Sequence, residues 1–150
     1  MLDKETFTEQ EQAVLRRLAG AMISASEDLQ IPGADDEVIF RRLLERTSHI
    51  VAQLREAMHD FCADLGGTAT VAALGDVDFS DVIENARKKP HPFLEVLTGV
   101  VANAYYSDPR ILASLNKEDR PPFPKGNTLE QGDWSLLDSV KERDPVYRNC

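Results

Sequence analysis

The pattern of apolar and polar residues along the chain repeats at three- and four-residue steps, which is the spacing of amphipathic α-helices. Its strongest instance is the stretch 92–110, PFLEVLTGVVANAYYSDPR. One helix face of that stretch would carry Phe93, Val96, Leu97, Val100, Val101, Ala104 and Tyr105. The opposite face holds few polar residues, so we expect this helix to be mostly buried. Gly99 lies inside it at a cost of roughly 1 kcal/mol of helix propensity relative to alanine, so we expect another backbone to pass close to it.

A capping box predicts where the first helix begins. In Thr8-Glu9-Gln10-Glu11 the threonine and the third-following glutamate are placed to satisfy each other's backbone amides. The apolar stripe after the box predicts a helix that ends near residues 24–27. Its members are Val14, Leu15, Leu18, Met22 and Ile23. Pro32-Gly33 then predicts a turn.

A second helix is predicted to start at Asp35 or Asp36, where acidic side chains suit the positive end of the helix dipole. Its apolar pattern persists to Leu65, which is long for a globular helix, so we expect a bend near residues 47–48. The glycine pair 66–67 is expected to end it.

The segment between the glycine pair and the central helix has a weaker pattern. Residues 68–77 are predicted to form a loop or a short helical turn. Ser80 is expected to cap a short helix over residues 81–89, because serine is a good N-cap and the basic end suits the dipole. The sequence Pro90-His91-Pro92 predicts a turn into the central helix. After Arg110, a brief helical continuation is predicted from Ile111, Leu112 and Leu115.

The chain changes character after residue 115. The stretch 120–126, RPPFPKG, is expected to be rigid and extended, since each proline fixes its own φ and restricts the residue before it. A final short helix is predicted over residues 134–143, capped from Asp133 and stopped by Asp144-Pro145. This arm is too apolar for a solvated disordered tail, so it packs either on its own bundle or on another protein.

These patterns predict an all-α fold in one domain that spans residues 1–150. We expect a bundle of four to five helices over residues 6–115 and a long, irregular, proline-containing C-terminal arm over residues 116–150. The length of 150 residues and the hydrophobic content of 42% are sufficient for one real core.

Composition narrows the classes of partner and compartment. The formal charge of −9 argues against a general nucleic-acid or anionic-membrane surface, because both need a basic patch. No apolar run approaches the ~20 residues that span a bilayer, so direct membrane insertion is not expected. The acidic, polar start has no signal-peptide pattern, so the chain as given is expected in the cytoplasm. It would be periplasmic only if it were exported with a partner or had lost a leader.

The sequence predicts no catalytic or metal site. Glu56 and His59 have the Glu-x-x-His spacing of di-iron bundles, but such a site needs a second copy and two further glutamates. No nucleophile elbow, Cys-His pair or glycine-rich phosphate loop is present. Cys62 is expected to be a buried small hydrophobe, and Cys150 to be exposed.

The sharpest local signal is the stretch 105–110, Tyr-Tyr-Ser-Asp-Pro-Arg. Asp108 can accept backbone amides and cap the segment that follows, and Arg110 can pair with Asp108 or with helix-end carbonyls. The stretch is then either only a helix stop with its aromatic side chains in the core, or a docking corner. The second interpretation rests on tyrosine and arginine, which anchor interfaces by burying large area while keeping a polar group.

Several of these segments, in their order and spacing, resemble one known family. They are Leu2 with the stretch 8–15 (TEQEQAVL), then Pro-Gly-Ala at 32–34, then the apolar helix that closes on Tyr-Tyr-Ser-Asp-Pro-Arg. Over residues 5–126 the chain is similar to the small subunit, subunit 3, of gluconate 2-dehydrogenase and related flavin-dependent sugar dehydrogenases.

The resemblance implies a non-catalytic α-helical subunit without a cofactor of its own. In that family the small subunit binds a large FAD-containing subunit of the glucose–methanol–choline oxidoreductase type, which oxidises sugars or sugar acids. A cytochrome c subunit often completes the complex. The small subunit is thought to help the large one mature and, where it carries a twin-arginine leader, to be exported with it. This sequence lacks that leader, and the usual Ile-Pro after the first helix appears as Ile23-Ser24.

The favoured hypothesis is therefore an accessory subunit that stabilises or matures a flavoprotein dehydrogenase. Residue type and position suggest a partner contact through Tyr105, Tyr106, Asp108, Arg110, Phe123 and Trp134. A free-standing helical interaction protein or homodimer is the first alternative. The second is an enzyme that uses Glu56, His59 or Tyr105.

Overall fold

A computed structural model describes residues 6–89, 91–119, 126 and 132–143 of the chain. The regular elements of these residues are helical, apart from an isolated bridge between Ser26 and Ile31, so the all-α prediction is confirmed. The α-helices are α1 (Glu9–Met22), α2 (Glu37–Thr47), α3 (Val51–Ala63), α4 (Thr68–Ala73), α5 (Asp76–Lys88), α6 (Pro92–Tyr105), α7 (Pro109–Ser114) and α8 (Asp138–Lys141). Short 3₁₀ turns occur at Ser48–Ile50 and Trp134–Leu137.

The backbone groups into two compact units, Met1–Asp119 and Arg120–Cys150. The first contains α1 to α7 and the hydrophobic core. In the second, the described residues include the 3₁₀ turn and α8. Among the residues that the structure describes, no helix is long and apolar enough to cross a membrane.

The capping box predicted at the start of α1 is confirmed. The Thr8 hydroxyl accepts the Glu11 N–H at 3.3 Å, and the Thr8 N–H donates to Glu11 Oε2 at 2.8 Å. The helix ends at Met22, slightly before the predicted range. It ends there because Ile23 is extended and its carbonyl accepts the Ala34 N–H at 2.8 Å, which closes the turn onto the helix end.

The long second helix is interrupted where a bend was predicted. Asp36 caps α2 by accepting the Val38 and Ile39 N–H groups, and α2 ends at Thr47. The buried Thr47 hydroxyl donates back to the carbonyls of Leu43 and Leu44 at 3.1 and 3.0 Å. Such back-bonding competes with the helical hydrogen-bond ladder and bends helices. The 3₁₀ turn follows, and α3 resumes the apolar pattern.

The prediction that Ser80 caps a helix is wrong. Helix α5 begins at Asp76 after the N-cap Gly75, and Ser80 lies inside it with its hydroxyl donating to the Asp76 carbonyl at 2.8 Å. The helix starts one turn earlier than predicted because Asp76 and Asp78 lie in its first turn, where acidic side chains suit the positive end of the helix dipole. Phe79, at 6% exposure, lies buried inside it. The preceding segment, residues 68–77, whose apolar pattern was weak, contains α4. This helix follows Gly67, which has a φ of 93°. Any residue other than glycine would have a strained backbone at this φ angle.

Helix α6 lies at the centre of the first unit, where it packs on α1, α2 and α3. Its fully buried side chains are Phe93, Leu97, Val101, Ala104 and Tyr105. Val96 is 51% exposed, so the buried face is narrower than its apolar pattern predicts. The expected close approach at Gly99 is wrong, because a Cβ atom there would meet nothing within 4 Å.

This open position gives a clear prediction. Gly99→Ala should raise the free energy of unfolding by up to about 1 kcal/mol, since alanine has the better helix propensity and displaces nothing. Gly20→Ala in α1 is the matched control, because its Cβ would lie 2.9 Å from Asp35 Cγ and should cancel the propensity gain. Urea denaturation followed by circular dichroism compares the two. A loss of stability in Gly99→Ala would contradict the open site.

The second unit confirms the short helical segment predicted from Asp133. Asp133 Oδ1 accepts the Ser135 N–H at 3.0 Å and the Ser135 hydroxyl at 2.6 Å, and the turn runs on into α8. Four large apolar side chains are exposed there, namely Trp134, Leu136, Leu137 and Val140. The proline-rich stretch 120–125, Pro90 and the predicted stop at 144–145 lie outside the described residues. Whether the chain is one domain stays a prediction.

Candidate docking site at the α2–α6–α7 corner

The junction of α6 and α7 is built by a single aspartate. Asp108 is 1% exposed and is the N-cap of α7, with Oδ1 accepting the Arg110 N–H at 2.9 Å. Pro109 occupies the first helical position, where its missing N–H has no partner to lose. The brief helix predicted after Arg110 and the capping role of Asp108 are both confirmed.

Arg110 joins the N-caps of two helices. Its Nε donates to Asp108 Oδ1 at 2.9 Å and its Nη2 to Asp108 Oδ2 at 3.1 Å. The same guanidinium reaches Asp36, the N-cap of α2, with Nη2 at 2.7 Å from Oδ1. The planar fork of arginine can satisfy two carboxylates at once, so the starts of α2 and α7 are fixed to each other.

A second arginine closes the site from α2. Arg42 Nη1 donates to Asp108 Oδ2 at 3.2 Å, which brings α2 against the α6–α7 junction. One turn later, Arg46 donates to the Asn103 side-chain oxygen on α6. We call Asp36, Arg42, Tyr106, Asp108 and Arg110 the corner.

The corner keeps its carboxylates ionised. Hydrogen bonds from Arg110, followed by bonds from backbone amides, outweigh burial and hold the pKa of Asp36 and Asp108 below their usual values. The same two carboxylates raise the pKa of Arg110. A buried carboxylate is stable in this position only because charged and backbone donors surround it.

The two tyrosines of the stretch have different environments. Tyr105 is 3% exposed and its hydroxyl donates to the Pro32 carbonyl at 3.1 Å, which ties α6 to the turn after α1. Burial, then the neighbouring Tyr106 and Asp108, raises the pKa of the Tyr105 phenol. Tyr106 is 53% exposed, with its ring edge-on to Tyr105 at a centroid distance of 5.3 Å. Tyr106 therefore contacts a buried neighbour while about half of its own surface stays exposed to solvent.

The six expected interface residues are thus not all at one surface. Tyr105 and Asp108 are buried inside the first unit, where they contact Tyr106 and Arg110 respectively. Tyr106 and Arg110 are at its surface, the Arg110 side chain being 46% exposed. Trp134, at 63% exposure, belongs to the second unit, and Phe123 lies outside the described residues.

Two members of the corner were not expected there. Asp36 was predicted as a helix start, and its contact with Arg110 joins residues far apart in the chain. Arg42 reads in the sequence as an ordinary surface residue of an amphipathic helix. Arg42 reaches Asp108 because of the angle at which α2 packs against α6. The local sequence does not predict that angle.

Of the two residues with Glu-x-x-His spacing, His59 contacts the capping glutamate of α1. His59 Nε2 lies 2.9 Å from Glu11 Oε1, and Arg55 Nε donates to the same oxygen at 3.0 Å. Burial raises the pKa of Glu11, but the Thr8 amide, Arg55 and His59 outweigh it and the net pKa is lowered. These bonds join α1 to α3. Within the described residues, no group of three or more His, Cys, Asp or Glu could hold a metal ion.

Cys62 is buried, as expected, and burial raises the pKa of its thiol. A thiol of raised pKa is a poor nucleophile, which fits a packing role in the core.

No protein-family model, curated protein or solved structure matches this chain. The resemblance to the small subunit of gluconate 2-dehydrogenase therefore stays a prediction from the sequence motifs.

Proposed function

We propose that this chain is a non-catalytic accessory subunit of an FAD-dependent sugar or sugar-acid dehydrogenase. Its partner would be a large flavoprotein subunit of the glucose–methanol–choline type, with a cytochrome c subunit completing the complex where one is present. The cofactor would belong to the partner. In this proposal the five longer helices, α1, α2, α3, α5 and α6, form the bundle. The complex reaches the periplasm if the partner exports it or if a leader has been removed from this chain.

One observation carries the proposal. The stretch that bears the resemblance, Tyr-Tyr-Ser-Asp-Pro-Arg, supplies three members of the corner, of which Tyr106 and Arg110 are exposed at the surface. Arg110 is held by two carboxylates before any partner arrives, and Tyr106 contacts the buried ring of Tyr105. Side chains that are already ordered lose less entropy on binding, and tyrosine and arginine are the usual anchors of interfaces.

The proposed mechanism is stabilisation by mass action. A subunit that binds only the folded flavoprotein stabilises it by RT ln(1 + [L]/Kd), where [L] is the free concentration of the subunit. The flavoprotein would then stay folded long enough to bind and retain FAD. No bond is made or broken by this chain.

Co-expression tests the proposal. A candidate flavoprotein subunit of the glucose–methanol–choline type is produced with and without this chain, and its soluble yield and FAD content per mole are measured. We expect both to fall when the chain is left out. Equal yield and equal FAD content without the chain would overturn the proposal.

A variant of the corner and a control variant elsewhere on the surface test, in the same experiment, whether the partner binds at Tyr106. Tyr106→Ala should weaken co-purification about tenfold or more, which is typical of a central tyrosine anchor. Val77→Ala, at a 79% exposed position on α5, is the matched control and should not change it. Light scattering on the isolated chain tests the homodimer alternative.

A further inference from the structure

Helix α6 buries one side in the core and leaves its other side exposed. At 3.6 residues per turn, the exposed residues form one stripe with Gly99 at its middle. We call this stripe the α6 face, and its members are Pro92, Glu95, Val96, Gly99, Asn103 and Tyr106. A Cβ atom at Gly99 would meet no described atom from outside its own helix backbone within 4 Å, so the middle of the face is open.

The α6 face is poor in charge and carries large exposed side chains. Glu95 is its one charged member, in a chain of which 29% is charged. Val96 is 51% exposed and Tyr106 is 53% exposed. Exposed apolar side chains that group on one surface are typical of interaction sites, whereas single ones need no explanation. Because Gly99 has no side chain, the backbone of another helix can come close at the middle of the face.

The two ends of the α6 face have complementary shapes. An apolar groove lies beside its N-terminal end, between α3 and α6. The groove is lined by Ile50, Gln53, Leu54, Ala57, Pro92 and Val96. The exposed ring of Tyr106 lies at the C-terminal end. Pro92 and Tyr106 are both seven positions from Gly99, so two antiparallel α6 helices that cross at Gly99 bring each Tyr106 ring to the groove of the other copy.

The two ends also differ in charge. Glu95 lies towards the N-terminal end, as does Asp60 of α3, whose side chain is 80% exposed and lies 3.5 Å from His91. Towards the C-terminal end, Arg46 of α2 donates to the side-chain oxygen of Asn103. Neither Glu95 nor Arg46 forms an ion pair with a residue that the structure describes. Antiparallel helices place the acidic end of each face over the basic end of the other, whereas parallel helices would place like charges together.

We propose that the α6 face binds the same face of a second copy of this chain, in an antiparallel dimer that crosses at Gly99. Each contact in such a symmetric interface occurs twice. The complementary shapes and charges lie at the two ends of one face, so a second copy supplies both halves of each match. A standard interface buries about 800 Å² per partner, and a helix of 14 residues with one groove supplies less. We therefore expect a reversible dimer of roughly micromolar affinity or weaker.

The dimer goes beyond the proposed accessory function and does not replace it. Tyr106 belongs both to the α6 face and to the corner, so the dimer and a complex with a flavoprotein would exclude each other. The dimer would cover the apolar face while no partner is bound. It is measured on the isolated chain, so its failure leaves the accessory function standing, and the failure of co-expression leaves the dimer standing.

Sedimentation velocity on the full chain, from low to high micromolar concentration, tests the dimer. We expect the wild type to pass reversibly from monomer to dimer. Gly99→Lys places a charge against its own copy at the crossing point and should weaken the dimer at least tenfold. The Tm of this variant, measured where the wild type is monomeric, should stay equal or rise, because the position is open and lysine has the better helix propensity. Val77→Lys adds the same charge at a 79% exposed position on α5 and should leave the dimer unchanged.

A charge exchange tests the antiparallel arrangement. Glu95→Lys makes both ends of the face basic, and Arg46→Glu makes both ends acidic. Each single variant should weaken the dimer about tenfold, since the repulsion occurs twice, and the effect should shrink at high salt. The double variant reverses both ends and should recover most of the wild-type affinity.

Three results would overturn the dimer. The first is a wild type that stays monomeric across the concentration range. The second is undiminished association in Gly99→Lys, which would assign the contact to other exposed apolar side chains, such as Trp134. The third is a double charge variant that associates as weakly as the single variants, which would exclude the antiparallel arrangement.

Discussion

Replacing Phe93 with alanine is expected to lower the free energy of unfolding by about 3–5 kcal/mol, the usual cost of truncating a buried phenylalanine. Phe93 is completely buried in the first turn of α6, and its ring centroid lies 5.5 Å from that of Phe61 on α3. The N–H of Phe93 also donates to the Nδ1 atom of His91, which caps the helix. The side chain therefore fills the core at the point where the central helix begins.

Val96→Ala is the control for this prediction. Val96 lies one turn further along α6 and is 51% exposed, so its truncation should cost well under 1 kcal/mol. Urea denaturation followed by circular dichroism at 222 nm compares the two variants on the same helix. Similar losses in both would mean that the helix face named as buried is not the one that packs.

The helix starts were accessible from the sequence because they depend on neighbours in the chain. Thr8 with Glu11, and Asp133, are capping residues that lie within three positions of the amides they accept, and both were expected where the structure has them. The start of α2 was expected at Asp35 or Asp36, and Asp36 is its N-cap. Ser80 shows the limit of this reasoning. A serine can cap, but the helix begins one turn earlier, where Asp76 and Asp78 suit the helix dipole, and Ser80 lies inside it. Two start signals one turn apart compete, and the residue types alone do not decide between them.

The candidate site was predictable only in part for the same reason. The bond from Arg110 to Asp108 spans two residues, and its existence follows from local geometry. The bonds to Asp36 and Arg42 join segments more than sixty positions apart, and they depend on how α2 crosses α6. Gly99 shows a different limit. An unfavourable residue in a helix suggested close packing, yet no described atom from outside its own helix backbone lies within 4 Å of its Cβ position. Propensity alone does not say what surrounds a residue.

The members of the corner also differ in burial, and burial decides whether a substitution affects folding or partner binding. Asp108 and Tyr105 are buried, so substituting them disturbs the fold before it disturbs any partner. Tyr106 and Arg110 are the most exposed members of the corner, and a partner would contact them first. A variant that separates stability from binding must therefore change Tyr106, whereas one that tests how the corner is held must change Asp108.

Asp108→Ala should lower the free energy of unfolding by about 2–3 kcal/mol, because it removes the N-cap of α7 and leaves Arg42 without its carboxylate. Both arginines are partly exposed and can recover hydration, so the loss should not reach that of a fully buried ion pair. Asp108→Asn is the matched variant. Asparagine still caps the helix but lacks the charge, so about 1 kcal/mol of loss is expected.

The pH dependence of these variants separates the charge from the cap. The pKa of Asp108 is held below its usual value near 3.8, so its ionised form stabilises the fold above that pH. This contribution is lost as the pH falls through the lower pKa of the folded state. The difference between the wild type and Asp108→Asn should therefore shrink in urea titrations at progressively lower pH below about 4. A difference that stays constant from pH 7 to pH 3 would show that the ion pairs with Arg110 and Arg42 do not stabilise the corner.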